Sequence, residues 1–500
     1  MIEKESLPST VDGYSSGRDN DSNGPEQRIL IDWSEAEERA LVRKLDLLIM
    51  PLLIAGFFVL QLDRGNIGNA LTDFFLPEVG ITQFQFNIGN QLLSLGIVLL
   101  ELPSNLVLYR LGPQKWISCQ IFCWGLVATF QAFIKGKGVG AYYATRLLLG
   151  LLEAGFIPSG FLYTLTQWYK RNETSRRFTA FFLGNMIASA ASGLIAYGIL
   201  QMRGIAGLSG WQWMFLLEGI ITIVIGVVFA FLMPNSPANP SNIFGHLYFT
   251  PQEIHILTNR ITIDNPTQGP RHKYVKWVDI KSAFSRWCIY PQLTVSFCCI
   301  AIISPLGTYQ PSIIASYGYD RLQANALSSV GGWIVIVLNL SFGWIADKTQ
   351  RRGFLILLAT VLSFAFCLAT RQLAASTNRD LKYGILTCTT LWGSVAHPLN
   401  GSWLAVNIRN PAERSITMAL LIMTANAAGL AGAQIFQAHD APLYRTGFTV
   451  ILTLASIALV FAIVSNGQYL WLNKKLAAKG RLEEEQVEAA GEGDRWRFSL

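Results

Sequence analysis

Charge is scarce in this chain. Of its 500 residues only 14% are Asp, Glu, Lys or Arg, while 51% are hydrophobic; a soluble domain carries about 25% charged residues. The shortage, with long stretches that hold no charge at all, excludes an ordinary water-soluble fold and indicates a polytopic membrane protein. Other absences narrow the function. There is no Gly-rich Walker loop, so nothing here would couple nucleotide hydrolysis to work. There is no H-E-x-x-H, no C-x-x-C and no credible catalytic triad, which disfavours an enzyme and leaves no cofactor or metal to expect. Cysteine is sparse too. Cys119, Cys123, Cys288, Cys298, Cys299, Cys367 and Cys388 all fall in or beside apolar segments and read as small packing residues. The net charge of +7 is spread between apolar segments, which is a topology signal and not a nucleic-acid patch. Residues 1–40 lack the pattern of a cleavable signal peptide, so the first apolar span is expected to act as the targeting signal.

A helix needs about 20 apolar residues to cross a bilayer. Twelve such windows are readable, at 45–68, 87–109, 116–134, 139–164, 178–200, 212–233, 287–315, 323–346, 354–371, 383–406, 415–437 and 447–471. The expected organisation is a disordered tail over 1–44, a six-helix bundle over 45–233, a polar, proline-marked loop over 234–286, a second six-helix bundle over 287–472 and a tail over 473–500. The fold class is therefore an all-α membrane protein with twelve transmembrane helices in two bundles. Placing the N-terminus in the cytoplasm puts 29 of the 39 Lys and Arg on inner segments and 8 on outer loops. Both ends are then cytoplasmic. Arg371, Arg379 and Lys382 in one outer loop run against this trend. Arg64 and Arg146 alone remain within the membrane.

An ionised residue inside a span costs about 2.5–3.5 kcal/mol, so such residues mark pathways or internal partners. Asp63 and Arg64 sit together near the outer end of span one. Adjacent helical residues point about 100° apart, so one can face a cavity and the other a neighbouring helix, in either order; an interfacial pair snorkelling to the outer surface is the other reading. In a low-dielectric cavity a guanidinium is a strong bidentate partner for a carboxylate. Arg146 and Glu153 lie two turns apart on one face of span four. Glu153, near mid-span, is suited to proton coupling; a permanent structural pair with Arg146 is the other reading. Glu101, at the inner end of span two, reads as a gate or as an interhelical hydrogen-bonding group. Asn426 is the one strong hydrogen-bonding side chain in the small-residue run TANAAGLAG and faces either a substrate or its packing partners. Asn185 and Tyr309 are weaker candidates of the same kind.

After span eight comes GWIADKTQRRG, Gly343–Gly353, and after span two, in the equivalent place, NLVLYRLGPQK, residues 105–115. Paired loops at this position indicate an internal repeat. The first string resembles the G-x-x-x-D-[RK]-x-x-R-R loop of the major facilitator superfamily; in the second copy Asn105 and Tyr109 replace the Gly and Asp. Gly343 is expected to permit close helix approach, Asp347 to cap a helix start and pair with a basic residue across the half-domain, and Arg351 and Arg352 to hold the loop on the cytoplasmic side.

LDRGNIGNA (62–70), ELPSNLVLYRLGPQKW (101–116), RLLLGLLEAGFIPS (146–159), GWQWMFLLEG (210–219) and DAPLYRTG (440–447) further resemble the anion:cation symporter family, and within it the fungal allantoate permease-like group. The likeness covers roughly residues 41–475. It implies proton-coupled uptake of a small organic anion such as a vitamin or nitrogen-source acid, by alternating access. It implies that Arg64 contacts the substrate carboxylate, that Asp63 and Glu153 couple protons and that Arg146 belongs to the proton relay. A monomer in the plasma membrane is expected, with the lipid bilayer, protons and the anion as its partners. Span five lacks the Gly-Pro-rich antiporter motif, which argues for symport. An exporter of the same fold and a transporter-like nutrient sensor remain open.

Overall fold

The computed structural model describes residues 32–158, 166–242, 244–264, 277–408 and 411–484. Twelve of its helices have 16 residues or more. In the first half they are α1 (Glu35–Ala70), α2 (Gln83–Leu111), α3 (Pro113–Gln131), α4 (Gly138–Glu153), α5 (Arg171–Leu200) and α6 (Gly210–Leu232). In the second half they are α7 (Ile289–Ser316), α8 (Arg321–Thr349), α9 (Arg352–Gln372), α10 (Arg379–Val406), α11 (Pro411–Gly432) and α12 (Arg445–Glu484). Among the described residues, seven helical stretches are long and apolar enough to cross a membrane by length and composition.

Several boundaries differ from the sequence expectation. α1 begins at Glu35, inside the predicted tail, because Ser34 and Glu37 form a reciprocal capping box: the Ser34 N–H donates to Glu37 at 2.8 Å and the Glu37 N–H to Ser34 Oγ at 3.3 Å. α12 runs on to Glu484, past the predicted edge at 472, through a stretch rich in Leu, Ala and Lys that favours helix. The central segment is not simply a loop. Its helix Pro251–Asp264 is fastened to the first half through Lys44–Glu253 at 2.9 Å and Arg260–Glu173 at 2.6 Å. Its helix Trp277–Ser285 lies beside α11, and Arg286 just after it meets Glu413 at 2.6 Å. Residues 1–31, 265–276 and 485–500 of the expected tails and loop, and 159–165 of span four, lie outside the described residues.

Span four is interrupted. Ala154 is extended and Gly155 takes φ +83°, a left-handed conformation that favours glycine. Gln120 satisfies the carbonyls so released, donating to Ala154 O at 2.7 Å and Leu152 O at 3.3 Å.

The halves repeat one packing plan. α1 packs on α5, α2 on α4 and α3 on α6; six helices later α7 packs on α11, α8 on α10 and α9 on α12. Across the halves α5 meets α8, α2 meets α11 and α1 meets α7. This pattern is the internal repeat expected from the paired loops. Trp287 and Trp471, with ring centroids 6.2 Å apart, place the start of α7 beside the end of α12. Lys44 and Glu253 likewise place the start of α1 beside the central segment. These mark one face of the molecule, called here the terminal face.

Candidate functional site

The cavity between the halves has a volume of about 190 Å³ and is lined by Arg64, Asn90 and Arg146 from the first half and by Ser304, Thr308, Tyr309 and Asn426 from the second. All its charge comes from the first half; the second offers neutral hydroxyl and amide groups.

Arg64 Nε meets Glu153 Oε2 at 2.6 Å. The Glu153 side chain is fully buried, while that of Arg64 is 25% exposed. The break after Glu153 makes it the last residue of α4, at the depth where α1 carries Arg64. The one-face spacing of Arg146 and Glu153 therefore does not become a pair between them, because Arg64 takes the carboxylate. Arg146 instead donates from Nη2 to Asn90 Oδ1 at 2.9 Å, and its buried Nε and Nη1 have no partner among the described residues. Buried donors of that kind call for a ligand or water. Asp63 settles the choice left open by adjacency: it is buried on the side of α1 away from the cavity, where Thr222 Oγ1 of α6 lies 3.2 Å from its Oδ2.

The other candidates separate. Asn426 and Tyr309 line the cavity. Asn185 does not; its Nδ2 donates to Gln61 Oε1 at 3.4 Å and ties α5 to α1. Glu101 is half-buried within the electrostatic field of Arg64. The interhelical bonding expected of it is made by Ser104, whose Oγ accepts from Trp116 at 3.0 Å and Gln120 at 3.2 Å. Gly343 lies within α8, and a Cβ added to it would meet open space within 4 Å, so this glycine is not required for close helix approach. Asp347 pairs at 2.6 Å with Arg352, the first residue of α9, which joins neighbouring helices of one half and does not reach across to the other. Arg351 is exposed.

The sequence reading missed the amides of α2. Gln83, Asn87 and Gln91 recur every four residues on one face, and that period was the available signal. Asn87 accepts from the Tyr309 hydroxyl and donates to Phe436 O at 3.3 Å; Gln83 reaches the same carbonyl at 3.2 Å, and Gln91 reaches Leu430 O at 3.2 Å. These bonds close the cavity on the face opposite the termini. Farther out, the buried Asp73 carboxylate receives Arg321 from the second half, together with Arg203 at 3.0 Å and the Trp211 N–H at 2.9 Å from the first. Asn325 donates to Thr72 at 2.7 Å beside them. Glu78, in the short helix Phe75–Val79 between α1 and α2, collects Arg203, Ser209, Trp211 and Lys135. Partial burial would raise its pKa, but those donors outweigh burial and hold the carboxyl at about 2.

A family model described as Major Facilitator Superfamily matches residues 53–433. Among curated proteins, an uncharacterized transporter of Saccharomyces cerevisiae is 28% identical over 463 residues, covering 91% of this chain and 84% of its own. An MFS transporter of a fungal species is 31% identical, covering 87% and 88%. A protein of Agrobacterium vitis provisionally named a tartrate transporter is 30% identical over 66% of this chain and 74% of its own. Among solved structures, a bacterial homolog of the human lysosomal transporter Spinster, inward-facing and unoccupied, aligns with TM-score 0.65 at 12% identity over 88% of this chain and 98% of that one. A D-xylose–proton symporter aligns with TM-score 0.64 at 12% identity over 83% and 96%. A fold of two repeated six-helix halves, a charged cavity at their junction and a family match over most of its length make this chain a multi-pass membrane transporter, not an enzyme, and a member of the Major Facilitator Superfamily.

Proposed function

We propose that this transporter takes up a small organic anion, anchored by a carboxylate, together with protons, in the manner of the anion:cation symporter family and its fungal allantoate permease-like group. The observation that carries the reading is the Arg64–Glu153 ion pair in the cavity wall. A guanidinium held by a titratable carboxylate is an anion site whose availability depends on a proton. While Glu153 is ionised it occupies Arg64. Once protonated it releases the guanidinium to a substrate carboxylate, and because proton and anion enter together the loaded site keeps the net charge of the empty ion pair. Arg146, with two unpartnered nitrogens beside the same cavity, is a second cationic contact as well as a relay member. Asn426, Thr308 and Ser304 would receive the neutral end of the substrate.

The cycle follows alternating access around this site. With the terminal face cytoplasmic in the plasma membrane, the bonds of Asn87, Tyr309 and Asp73 are the outer closure. Release of substrate and proton inward re-forms Arg64–Glu153 and returns the empty carrier as a neutral pair. Tartrate, in the name of the Agrobacterium vitis relative, is a substrate of the anticipated chemistry.

The test is an uptake panel of labelled small carboxylates at two pH values, with and without a protonophore. Concentrative uptake that is stimulated by acid and abolished by the protonophore supports the reading. Uptake of a neutral solute in preference to every carboxylate overturns it.

A further inference from the structure

The α1–α6 seam holds polar atoms that the cavity does not use. Thr222 lies opposite Asp63, and the Trp211 N–H opposite Asp73. This antiparallel register brings Asn66, one turn beyond Asp63, alongside Glu218, one turn before Thr222. Both are sealed, at 1% exposure each. Among the described residues, the amide nitrogen and oxygen of Asn66 and both carboxyl oxygens of Glu218 have no hydrogen-bond partner. An ionised carboxylate so placed, without a cation or donor, is strongly disfavoured.

The groups around Glu218 on each packed helix are few. From α1 the field of Asp63 reaches it. At this level α3 supplies Trp124, Gly125 and Thr129, its other titratable groups being the thiols Cys119 and Cys123 and, at its terminal-face end, Lys115. α5 has no ionisable residue between Arg177 and Tyr197. Arg64 is turned to Glu153 and Arg146 to Asn90. Among Arg64, Arg146, Asp63, Glu153 and Glu218, two guanidiniums face three carboxyls, which balance when one carboxyl carries a proton.

We propose that Glu218 is a proton-carrying carboxyl paired with Asp63, the two holding one exchangeable proton in a polar pocket of α1 and α6 that is separate from the substrate cavity. The geometry of Thr222 fits. Its single hydroxyl proton is offered to the Glu218 carbonyl at 2.9 Å and to Asp63 Oδ2 at 3.2 Å. A protonated Asp63 donates back to Thr222 Oγ1 and satisfies both. When the proton moves to Glu218, Asp63 takes the hydroxyl and the Asn66 amide is at hand for the neighbouring carboxyl. Two carboxyls buried in this setting, on residues each within reach of Thr222, share a proton more readily than both ionise. Glu218 is a positioning and proton-holding group; it does not touch substrate.

The inference rests on proton-coupled uptake, and the experiment separates the two. In proteoliposomes with a pH step of one unit, a coupled proton contributes about tenfold to the accumulation ratio. Glu218→Gln, which keeps shape and polarity, is expected to lower accumulation about tenfold while counterflow exchange of the same labelled carboxylate persists. In purified protein, the infrared carboxyl band that appears on acidification is expected to shrink in Glu218→Gln. Thr222→Val, which keeps both carboxyls, is expected to shift the pH midpoint of that band. If wild-type accumulation ignores the pH step, the proton-coupled reading itself fails. If wild type responds and Glu218→Gln matches it in accumulation and in the infrared band, or if Thr222→Val leaves the midpoint in place, the Glu218 assignment is overturned.

Discussion

Arg64 and Glu153 stand 89 positions apart in the chain and 2.6 Å apart in the fold, joining α1 to α4 at the wall of the cavity. The contact is at once an element of the half-bundle and the means by which the cavity controls its own charge. Glu153 has no exposure to water, so Arg64 alone compensates it through a direct ion pair.

Removing one partner from such a pair is costlier than removing both. Arg64→Ala leaves a buried carboxylate uncompensated, a loss of about 3–5 kcal/mol in comparable pairs. The expected result is a lower thermal midpoint in detergent and no uptake, with the protein still inserted. Arg64→Ala combined with Glu153→Gln recovers most of the midpoint but none of the uptake. Glu153→Gln alone keeps substrate exchange and loses accumulation against a gradient. A fluorescence-detected melting series with matched vesicle assays checks all three.

The glycines at the seam between the halves define where the molecule closes. A Cβ at Gly68 would lie 2.5 Å from Thr308 O, and one at Gly332 would lie 2.6 Å from Ala190 Cα. Gly68→Val or Gly332→Val should wedge the opposite face open and slow transport at least about tenfold at normal expression. Gly343→Ala, in the family loop, meets open space and should leave transport within about twofold of wild type. The reverse order of effects in one transport assay would contradict this placement.

Asp73 holds the opposite face by receiving Arg321 from the other half. Asp73→Asn or Arg321→Ala should shift the population toward an arrangement open on that face. Spin labels at Phe74→Cys and Leu443→Cys, exposed positions of the two halves, should report a longer distance in these variants in a cysteine-depleted background. An unchanged distance distribution would remove Asp73–Arg321 from the closure.

The Glu78 cluster gives a stability signature at acid pH. Its folded pKa of about 2 lies below the ordinary value of 4.5 for a glutamate carboxyl. Its contribution is therefore present above about pH 4.5 and is lost as pH falls toward 2. The thermal midpoint of wild type should decline across that window, and Glu78→Gln should flatten the decline while lowering the midpoint at neutral pH.

Much of this architecture was legible in the chain because hydropathy and helix period are local properties. The all-helical membrane fold and the long apolar helices of its two halves follow from windows of one helix length. The paired loops near Asn105 and Gly343 likewise carried the repeat. Local signals failed where a contact depends on another helix. Arg146 and Glu153 share a face by spacing, yet the break at Gly155 and the approach of α1 give Glu153 to Arg64. Gly343 belongs to a motif but has no neighbour to accommodate. The amides at 83, 87 and 91 were regular on paper and acquired a role only when Tyr309 and the Phe436 carbonyl were brought to them.

By itself the sequence determined that this protein crosses a membrane many times, in two repeated halves with a few charges inside, because removing a charge or a backbone from water has a cost that composition cannot disguise. Only the tertiary structure decided which of those charges meet. A buried charge is set by its nearest partner in space, and that partner, Glu153 for Arg64, Asn90 for Arg146, Thr222 for Asp63, comes in each case from a different helix.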